Sequence, residues 1–501
     1  MIDLDVDVAV IGAGFGGSLT ALVVKQLGLR PVLIERGAHP RFALGESSTP
    51  LADLLLGELA ERYDLPRLRP LAEYGTWRKA YPELPCGLKR GFSYFHHRPG
   101  NPFTPRADHA NELLVAASHA AADADLHWLR SDFDQFLINE AQNAGVDYLD
   151  GTELTEIIAG PRWLLAGRRG SKPCRVTAGF VVDASGEGSV LARHLRIPCA
   201  AVPMRTHSRV VYGHFRDVRP WGELLAAHGA RLADHTFPCD AAALHHVFDG
   251  GWMYVLRFDQ GVTSAGFLLD ADRHPLDPKV PVDEEWRHWL ARFPSIAEQF
   301  AQARVVAPEG GLRRSGRLQR RCSRTAGANW AMLPASAYTL DALHSTGNAH
   351  TLHGIERLAR ALSRHWDQPG MAAEMDEYDR ILQAEITLVD RLVHGCYRAF
   401  GRFELMAAYA MFYFAAAHTC EERRRRGRPA EAFLLATEAP YCEGLERCYQ
   451  RLLELTRRGA VSDDHVAGFE REVADGVRAF NTAGLCDPSR KNMYACLSQD
   501  L

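Results

Sequence analysis

The most constraining feature of this sequence is a glycine-rich turn that directly follows a short apolar run near the N-terminus. Residues 6–11 read Val-Asp-Val-Ala-Val-Ile, a largely apolar run rich in β-branched residues, and residues 12–17 read Gly-Ala-Gly-Phe-Gly-Gly. Residues 18–27 then have helical spacing, residues 31–34 form a second apolar run, and an acid follows it. Strand, GxGxxG turn, helix, strand and acid in this order are typical of a dinucleotide-binding α/β unit.

Each residue of this unit has a role that its chemistry explains. Gly12 permits the tight turn, Gly14 lets the backbone approach a pyrophosphate, and Gly17 lets helix and strand pack closely. The first helical turn, which contains Phe15, offers unpaired N–H groups and a positive dipole to phosphates. Glu35 can accept hydrogen bonds from the ribose hydroxyls of adenosine. The unit alone does not distinguish NAD from FAD.

Composition sets the class of protein. The chain has 501 residues, of which 47% are hydrophobic and 24% charged, so we expect a soluble globular protein of two or three domains. The formal net charge of −4 provides no basic excess for nucleic acid, and no apolar run of 18 residues predicts a membrane span. The acidic N-terminus lacks the pattern of a secretory signal, and the 11 cysteines form no CxxC pair. We therefore predict a cytoplasmic protein with reduced thiols and no metal.

A second strand-and-turn signal favours FAD. Residues 180–183 are an apolar run that ends at Asp183, and the turn Asp-Ala-Ser-Gly continues to Gly186. A late strand followed by such a turn is typical of flavoproteins with the two-dinucleotide-binding fold. Arg130 precedes a predicted helix over residues 135–144, where it either faces the flavin or caps the helix at the surface.

Three short segments elsewhere in the chain form a recognisable set. Residues 45–50 read Gly-Glu-Ser-Ser-Thr-Pro, residues 86–94 read Cys-Gly-Leu-Lys-Arg-Gly-Phe-Ser-Tyr, and residues 345–347 read Ser-Thr-Gly. In this order they resemble the flavin-dependent halogenases that act on phenols and pyrroles, within the aromatic-hydroxylase-like FAD-dependent oxidoreductase superfamily. In that family the segments are, respectively, a loop near the flavin, the strand of a catalytic lysine, and a halide-binding turn.

The resemblance implies a fold class and a domain organisation. The expected fold is α/β, with an FAD-binding Rossmann-like domain of the two-dinucleotide-binding type formed by residues 1–200 and 305–360. An interleaved β-sheet substrate domain would occupy residues 201–304. Residues 361–501 have a helical pattern and would form a C-terminal region that covers the substrate pocket.

The resemblance also implies the binding residues. Glu46 and Ser47 would contact the flavin, and so would Asp341, the nearest acid to the position of a Gly-Asp motif that this chain lacks. The backbone N–H groups of Thr346 and Gly347 would hold chloride or bromide, because two donors aimed at one point can bind an anion.

The chemistry implied by the resemblance is the transfer of an oxidised halogen. FADH2 from a separate flavin reductase, O2 and halide would give hypohalous acid. Lys89 would capture this acid as a chloramine or orient it toward a small, electron-rich aromatic, either free or tethered to a carrier protein. His344 would take the final ring proton or line the pocket, and Trp252 and Tyr254 would contact the substrate. We expect Lys89 to be buried near Trp252 or His344 rather than beside a carboxylate, which would hold it as a permanent cation.

Departures from the family pattern leave other functions open. The family's Trp-x-Trp-x-Ile-Pro signature corresponds to Trp252, Tyr254 and Arg257 here, and His344 stands where tryptophan-acting members have glutamate. An FAD-dependent monooxygenase or oxidase that has lost halogenation is therefore an alternative, and a non-catalytic flavoprotein is a third. The chain has no second GxGxxG motif for a nicotinamide, which favours the halogenase with its external supply of FADH2.

The dinucleotide motif generates the first testable prediction. Gly14→Val places a branched side chain where the backbone must approach the pyrophosphate, so the variant should purify without flavin. The ratio of flavin absorbance to protein absorbance measures this loss. A yellow Gly14→Val protein with full flavin occupancy would contradict the assignment.

Overall fold

The computed structural model describes residues 2–199, 203–457 and 461–496. The predicted domain boundary between residues 200 and 201 lies outside the described residues. In chain order the strands are β1 (Ile2–Ile11), β2 (Pro31–Ile34), β3 (Cys86–Lys89), β4 (Gly91–His97), β5 (Glu112–Ala116), β6 (Asp125–Trp128), β7 (Asp147–Leu149), β8 (Thr152–Ile158), β9 (Trp163–Arg169), β10 (Lys172–Asp183), β11 (Ser208–Arg216), β12 (Ala243–Phe248), β13 (Gly251–Arg257), β14 (Thr263–Asp270), β15 (Arg304–Ala307), β16 (Arg313–Arg314), β17 (Arg320–Arg321), β18 (Ala326–Gly327), β19 (Trp330–Met332), β20 (Tyr338–Thr339) and β21 (Met493–Tyr494).

The α-helices of the described residues, in chain order, are α1 (Phe15–Gln26), α2 (Pro50–Arg62), α3 (Tyr74–Ala80), α4 (Arg130–Asn143), α5 (Val190–His194), α6 (Trp221–Ala227), α7 (Val282–Ala291), α8 (Pro294–Gln299), α9 (Pro334–Ala337), α10 (Thr346–His365), α11 (Met371–Ala399), α12 (Phe403–Arg425), α13 (Ala439–Arg457) and α14 (Asp463–Val477). None of them is long and apolar enough to cross a membrane.

The first sheet carries the dinucleotide motif. Its strand order is β18–β19–β10–β1–β2–β7, with β9 paired to β10 and β8 to β9. β1 runs parallel to both β2 and β10, and β10 runs parallel to β19. Side chains of β2 and of the second half of β1 are buried on both faces, which explains the continuous apolar runs of the sequence. The C-terminal end of β1 is therefore central and leads into the glycine-rich turn.

Two glycines determine how closely helix α1 packs on this sheet. A Cβ at Gly17 would lie 1.9 Å from the backbone oxygen of Gly12, so no other residue fits that position. Gly12 has φ +101°, and a Cβ there would lie 2.5 Å from the backbone oxygen of Ala184. This close approach brings the turn after β10 beside the turn after β1.

The second sheet supports the other half of the site. Its strand order is β15–β11–β14–β13–β12–β4–β5–β21, with β16 paired to β11. Most pairs are antiparallel, whereas β4 joins β12 and β21 joins β5 in parallel. One face packs on a separate core that contains Trp221, Trp286 and Phe267. The sheet thus combines strands from before residue 200 with those between residues 208 and 314 and a short strand near the C-terminal end.

Long helices cover the opposite face of this sheet and one side of the cofactor-binding half. α11 and α12 are largely buried, as are the inward faces of α10 and α13. A buried carboxylate, Glu385, joins two of them: it lies 2.8 Å from His350 Nε2 and accepts a 2.5 Å hydrogen bond from Arg357. The architecture confirms the predicted fold class, a Rossmann-like α/β unit with a second β-sheet and a helical C-terminal region. The predicted domain limits remain a prediction.

Candidate active site

The glycine-rich turn presents unpaired backbone donors. The residue before α1, Gly14, makes no side-chain cap for the helix, so the first N–H groups of α1 lack a capping acceptor. A Cβ at Gly14 would lie 3.4 Å from Nη2 of Arg130 and 3.7 Å from Oδ2 of Asp134. Arg130 forms a two-pronged pair with Asp134, at 2.8 and 2.9 Å, and its guanidinium lies 4.8 Å from the Phe15 ring centre. A cation is thus held beside the turn where a pyrophosphate would lie.

Glu35 stands at the end of β2, next to this turn. Its carboxylate accepts hydrogen bonds from the N–H groups of Ala13, at 2.9 Å, and Gly37, at 2.8 Å. Burial acts to raise the pKa of Glu35, but these two hydrogen bonds and the nearby Arg41 outweigh burial and hold the pKa below its usual value. Glu35 is therefore an ionised acceptor at the adenosine end, which suits a ribose hydroxyl.

Asp183 and Gly186 shape the turn after β10. Asp183 accepts hydrogen bonds from the backbone N–H of Ser185, at 2.9 Å, and of Leu191, at 2.7 Å. Gly186 has φ +61°, and its N–H donates to Ser336 Oγ at 2.9 Å. Arg320 donates to the carbonyl oxygens of Gly186, at 3.3 Å, and Ser336, at 2.8 Å. Sequence reasoning missed Arg320, since no local motif marks an arginine that organises two distant loops.

The Ser-Thr-Gly turn lies directly against the segment Gly-Glu-Ser-Ser. Ser345 has φ +50° and does not cap α10, so the N–H groups of Thr346 and Gly347 begin the helix without a side-chain acceptor. Ser345 Oγ lies 3.1 Å from Ser47 Oγ, and the Asn348 amide donates to the Ser47 carbonyl at 3.3 Å. A Cβ at Gly347 would meet nothing within 4 Å, so open space adjoins the turn. Free donors, open space and the neighbouring Arg130 fit an anion beside a cofactor.

The glycine turn adjoins the other three elements. The N–H of Ala13 donates to Glu35, a Cβ at Gly12 would lie 2.5 Å from the Ala184 oxygen, and a Cβ at Gly16 would lie 2.9 Å from Cγ2 of Thr351 in α10. We call the surface that these elements share the cofactor groove. The donors suit phosphates, and the carboxylate suits a ribose. The residues present therefore fit FAD, which would lie from Glu35 toward Ser47 and Thr346.

Lys89 is fully buried at the end of β3. It opposes Asp125 of β6, its Nζ donates to the carbonyl oxygen of Ser48, and it lies 4.1 Å from the Phe92 ring centre. Burial lowers the pKa of Lys89 to about 8, although nearby carboxyl groups oppose this shift. A substantial fraction of the amine is therefore neutral near physiological pH.

The surroundings of Lys89 correct one expectation from the sequence. The lysine was expected near Trp252 or His344 and away from carboxyl groups, but Asp53, Asp125 and Glu421 are the charges that act on it. No ion pair joins Lys89 to any of them within the described ranges. Burial raises the pKa of Asp125 to about 7 and that of Glu421 to about 8, and it raises the pKa of Asp53 well above its usual range. These acids reduce the downward shift of the Lys89 pKa, but they do not hold the amine as a permanent cation.

Sequence reasoning missed these three acids because they are far apart along the chain. Asp53 lies in α2, Asp125 begins β6 and Glu421 lies near the end of α12. Oδ1 of Asp53 and Oδ2 of Asp125 are buried and have no hydrogen-bond partner among the residues that the structure describes. Of the three acids, only Asp125 could have been predicted from the sequence, because pairing of the β3 and β6 segments would place it opposite Lys89.

A series of ring contacts, beginning at Phe92, connects Lys89 to the predicted residues Trp252 and His344. Phe92 lies 5.9 Å from Tyr413 and 6.0 Å from His245, between ring centres. Tyr413 stacks on His344 at 4.4 Å, and His245 stacks on Trp252 at 5.0 Å. The two predicted residues therefore lie one ring beyond those that contact Phe92.

His344 is poorly suited to accept a proton. Burial lowers the pKa of His344 to about 3, Nε2 lies 3.7 Å from Cys396 Sγ, and Nδ1 has no hydrogen-bond partner among the described residues. A neutral imidazole that protonates only in strong acid is a weak base at neutral pH. His344 stacks on Tyr413 and is not one of the described residues that line the apolar cavity beside Phe92, so its role stays a prediction.

Several other predicted residues have partners within the protein. The indole of Trp252 donates to the Tyr397 hydroxyl at 3.2 Å, and that hydroxyl donates to Asp341 at 2.8 Å. Asp341 also accepts from Ser208, at 2.6 Å, so it joins the second sheet to α11. These contacts leave the assignment of Asp341 to the cofactor a prediction.

The remaining predicted residues lie around the second sheet. Oε1 of buried Glu46 lies 2.9 Å from Nε2 of His214 on β11. Tyr254 is buried, and burial raises the pKa of its hydroxyl above the usual value. Arg257, which replaces the family's proline, donates to the Val218 carbonyl at 3.0 Å. Arg257 thus binds the loop after β11 and is not one of the described residues that line the cavity.

An apolar cavity adjoins Lys89 across Phe92 and is covered by α12 and the C-terminal segment. Its lining residues are Pro50, Phe92, Val115, Ala116, Ala117, Tyr413, Phe414, Ala417, His418, Glu421, Ala483, Leu485, Tyr494, Ala495 and Cys496. An apolar lining with few polar groups is typical of sites for small aromatic molecules. Among the described residues, no group of three His, Cys, Asp or Glu side chains could hold a metal ion.

The fold and groove define an FAD-dependent oxidoreductase, and the comparison with known families agrees. The family described as "FAD dependent oxidoreductase" matches residues 7–320, and the chain belongs to it. FAD is accordingly the cofactor of this protein.

Within this family, the chain is similar to halogenases, which confirms the resemblance seen in the sequence. It is 28% identical over 410 residues to monodechloroaminopyrrolnitrin halogenase PrnC of Pseudomonas fluorescens, covering 80% of this chain and 70% of that protein. It is 28% identical over 413 residues to the tetracycline 7-halogenase of Kitasatospora aureofaciens, covering 80% and 72%. A crystal structure of halogenase PltM in complex with phloroglucinol and FAD matches with a TM-score of 0.87, at 22% identity over 97% of this chain and 99% of PltM.

The buried amine generates a prediction about stability and pH. Because the pKa of Lys89 is about 8 in the folded protein and about 10.4 in an unfolded chain, the folded state binds fewer protons between these values. The stability that the wild type has over Lys89→Met should therefore rise as the pH increases from about 8 to about 10. Urea unfolding of both proteins at each pH measures this difference, and the subtraction cancels the titrating groups that do not interact with Lys89. Loss of the lysine raises the pKa of the neighbouring acids in the variant, which increases the difference in the same direction. A difference that stays constant or falls with pH would contradict the assignment.

Proposed function

We propose that this protein is an FAD-dependent halogenase of an electron-rich aromatic substrate, phenol- or pyrrole-like, in secondary metabolism. It uses FADH2 from a separate flavin reductase together with O2 and chloride or bromide. The observation that carries the proposal is the position of Lys89, which is buried between the cofactor segment at Ser48 and the ring of Phe92 that lines the cavity.

The cofactor groove and the turn at α10 would organise the oxidation. Reduced FAD, when bound, supplies the two electrons that O2 needs to convert halide into hypohalous acid. The uncapped N–H groups of Thr346 and Gly347 hold the halide, and the positive end of the α10 dipole adds to this attraction. Contact between Ser345 and Ser47 fixes the turn against the cofactor segment.

Lys89 would carry the oxidant from the groove to the cavity. Its burial favours the neutral amine, which can either form an N–halogen bond or orient hypohalous acid by hydrogen bonding. The Ser48 carbonyl accepts one hydrogen bond from Nζ and so directs the amine. Residues that surround the amine exclude water, which limits the escape of the oxidant.

The cavity suits a small aromatic molecule that arrives free in solution. Its lining is dominated by apolar and aromatic side chains. A carrier-tethered substrate would need a docking surface, and residues 423–426 are four consecutive arginines beside the cavity. Three of them are already paired: Arg423 with Glu438, Arg424 with Glu356, and Arg426 with Glu422. These pairs favour a free substrate over a carrier-bound one.

A second candidate function is an FAD-dependent monooxygenase or oxidase on the same scaffold. Tyr254 and Arg257 replace two residues of the halogenase signature, which favours this alternative. The contact of Arg257 with the Val218 carbonyl lies away from the cavity lining, so the replacement leaves the proposed path of the oxidant intact.

The proposed function is tested by a halide-dependent assay. The protein, FAD, NADH and a flavin reductase are incubated with a panel of phenols, pyrroles and indoles, with or without chloride or bromide. We expect mass shifts of the products that correspond to halogen and that require the halide. Oxygen insertion or turnover without halide would instead support the monooxygenase or oxidase.

The role of Lys89 is tested in the same assay. Lys89→Ala should lower halogenated product by at least about 100-fold, because the oxidant loses its carrier, while flavin content stays near that of the wild type. Release of peroxide or hypohalous acid into solution should persist. Lys79→Ala, at an exposed lysine of α3, is the matched control and should behave like the wild type. Retained halogenation in a folded Lys89→Ala protein would contradict this role.

A further inference from the structure

Glu421 is the one carboxyl group among the described residues that line the cavity. It lies near the end of α12, half-buried, and it forms no hydrogen bond or ion pair within the described parts of the chain. The next residue along the helix, Glu422, is different, because it is paired with Arg426 at 2.6 Å. A carboxyl group that lines an apolar cavity and has no protein partner is available to bond to a ligand in that cavity.

The charges around Glu421 place it on the side of the cavity that faces Lys89. Asp125, Arg425 and Lys89 are the charged groups that act on it, and Glu421 in turn acts on Lys89 and on Tyr413. Phe92, whose ring contacts the amine, and Tyr413 both line the same cavity. A molecule in the cavity would therefore contact Glu421 at one point and lie close to the source of oxidant at another.

We propose that Glu421 is the base that removes the hydroxyl proton of the substrate, so that the preferred substrate class is phenols rather than pyrroles. The inference rests on the proposed halogenase function and deepens it. In the first step the carboxylate of Glu421 takes the proton, the O–H bond breaks and its electron pair stays on the phenolate oxygen.

Halogen transfer completes the reaction. The phenolate ring carbon attacks the halogen, a carbon–halogen bond forms, and the bond from halogen to oxygen of hypohalous acid, or to nitrogen of Lys89, breaks. Its electron pair stays with the leaving oxygen or nitrogen, which takes up the ring proton as the aromatic ring is restored. Glu421 then returns its proton to the phenolate oxygen of the product, so ArOH and HOX give XArOH and water.

The basicity of Glu421 suits this step. Burial raises its pKa to about 8, with a further contribution from Asp125. The pKa of Glu421 is closer to that of a phenol, about 10, than the pKa of an ordinary carboxyl group is. Transfer of the proton from a phenol to Glu421 therefore costs less free energy. A pyrrole N–H is a much weaker acid than a phenol O–H, so Glu421 is too weak a base to deprotonate it. Glu421 therefore assists phenols specifically.

The other titratable groups near the cavity are less suited. His418 also lines it, but its Nδ1 lies 2.9 Å from the Thr482 hydroxyl, and burial lowers its pKa. His344 lies behind Tyr413 in the ring stack and has a pKa of about 3. Asp125 opposes Lys89 on the paired strands and is not among the lining residues of the cavity.

The test compares Glu421→Gln with wild type on phenols of graded acidity. Glutamine keeps the size and polarity of the side chain but cannot accept the proton. For a phenol of pKa about 10, kcat should fall by about 100-fold or more. For a nitrophenol that is already ionised at the assay pH, kcat should change by less than about 3-fold. The slope of log kcat against substrate pKa therefore steepens in the variant, which a purely structural effect would not produce.

Two further variants complete the experiment. Glu422→Gln changes a neighbouring carboxyl group that points to Arg426, and it should leave both kcat values unchanged. Glu421→Asp keeps a base on a shorter side chain and should recover part of the activity on the weakly acidic phenol. If Glu421→Gln lowers kcat equally for every phenol, or for none, Glu421 is not the base.

The failure of this inference is distinguishable from failure of the proposed function. If the wild type incorporates no halogen into any phenol, pyrrole or indole, the proposed function fails. If the wild type halogenates pyrroles better than phenols, or if Glu421→Gln halogenates weakly acidic phenols at the wild-type rate, the halogenase stands and the role of Glu421 is overturned.

Discussion

The candidate site depends on a set of hydrogen bonds around one serine. The backbone N–H of Ser48 donates to Leu126 O at 3.0 Å, and the Leu126 N–H donates to Ser48 Oγ at 3.1 Å. Ser48 Oγ in turn donates to Asp53, and the Ser48 carbonyl accepts from Lys89. One residue thereby fixes the loop near the flavin to β6, to the first turns of α2 and to the buried amine. These hydrogen bonds hold the Lys89 amine at a fixed distance from the loop that contains Ser48.

Local patterns of the sequence were enough to predict the cofactor-binding half of the fold. The spacing from Gly12 to Glu35 encodes strand, turn, helix and strand within a short stretch, and each step has a steric reason. Lys89 could be found only through resemblance, since a strand lysine has no local signature. Its complete burial agrees with that interpretation, whereas the expectation that Trp252 or His344, rather than a carboxyl group, would lie beside it was wrong.

The acids around Lys89 could not be predicted for a physical reason. Asp53, Asp125 and Glu421 meet because two strands pair, one helix begins after Ser48, and a distant helix closes over them. Each is an ordinary acidic residue in its own segment, and only tertiary packing removes it from water. Burial then shifts the pKa of each carboxyl group upward and that of Lys89 downward, so the cluster approaches neutrality together.

The edge strand β21 has a consequence for the order in which the chain becomes functional. Met493 and Tyr494 pair with β5, and Tyr494 with Ala495 forms part of the cavity wall. On a ribosome, the glycine turn emerges several hundred residues before this wall does. A nascent chain can thus form the turn that binds the nucleotide long before Tyr494 completes the cavity. The cofactor-binding residues and the residues that wall the cavity therefore become available at widely separated stages of translation.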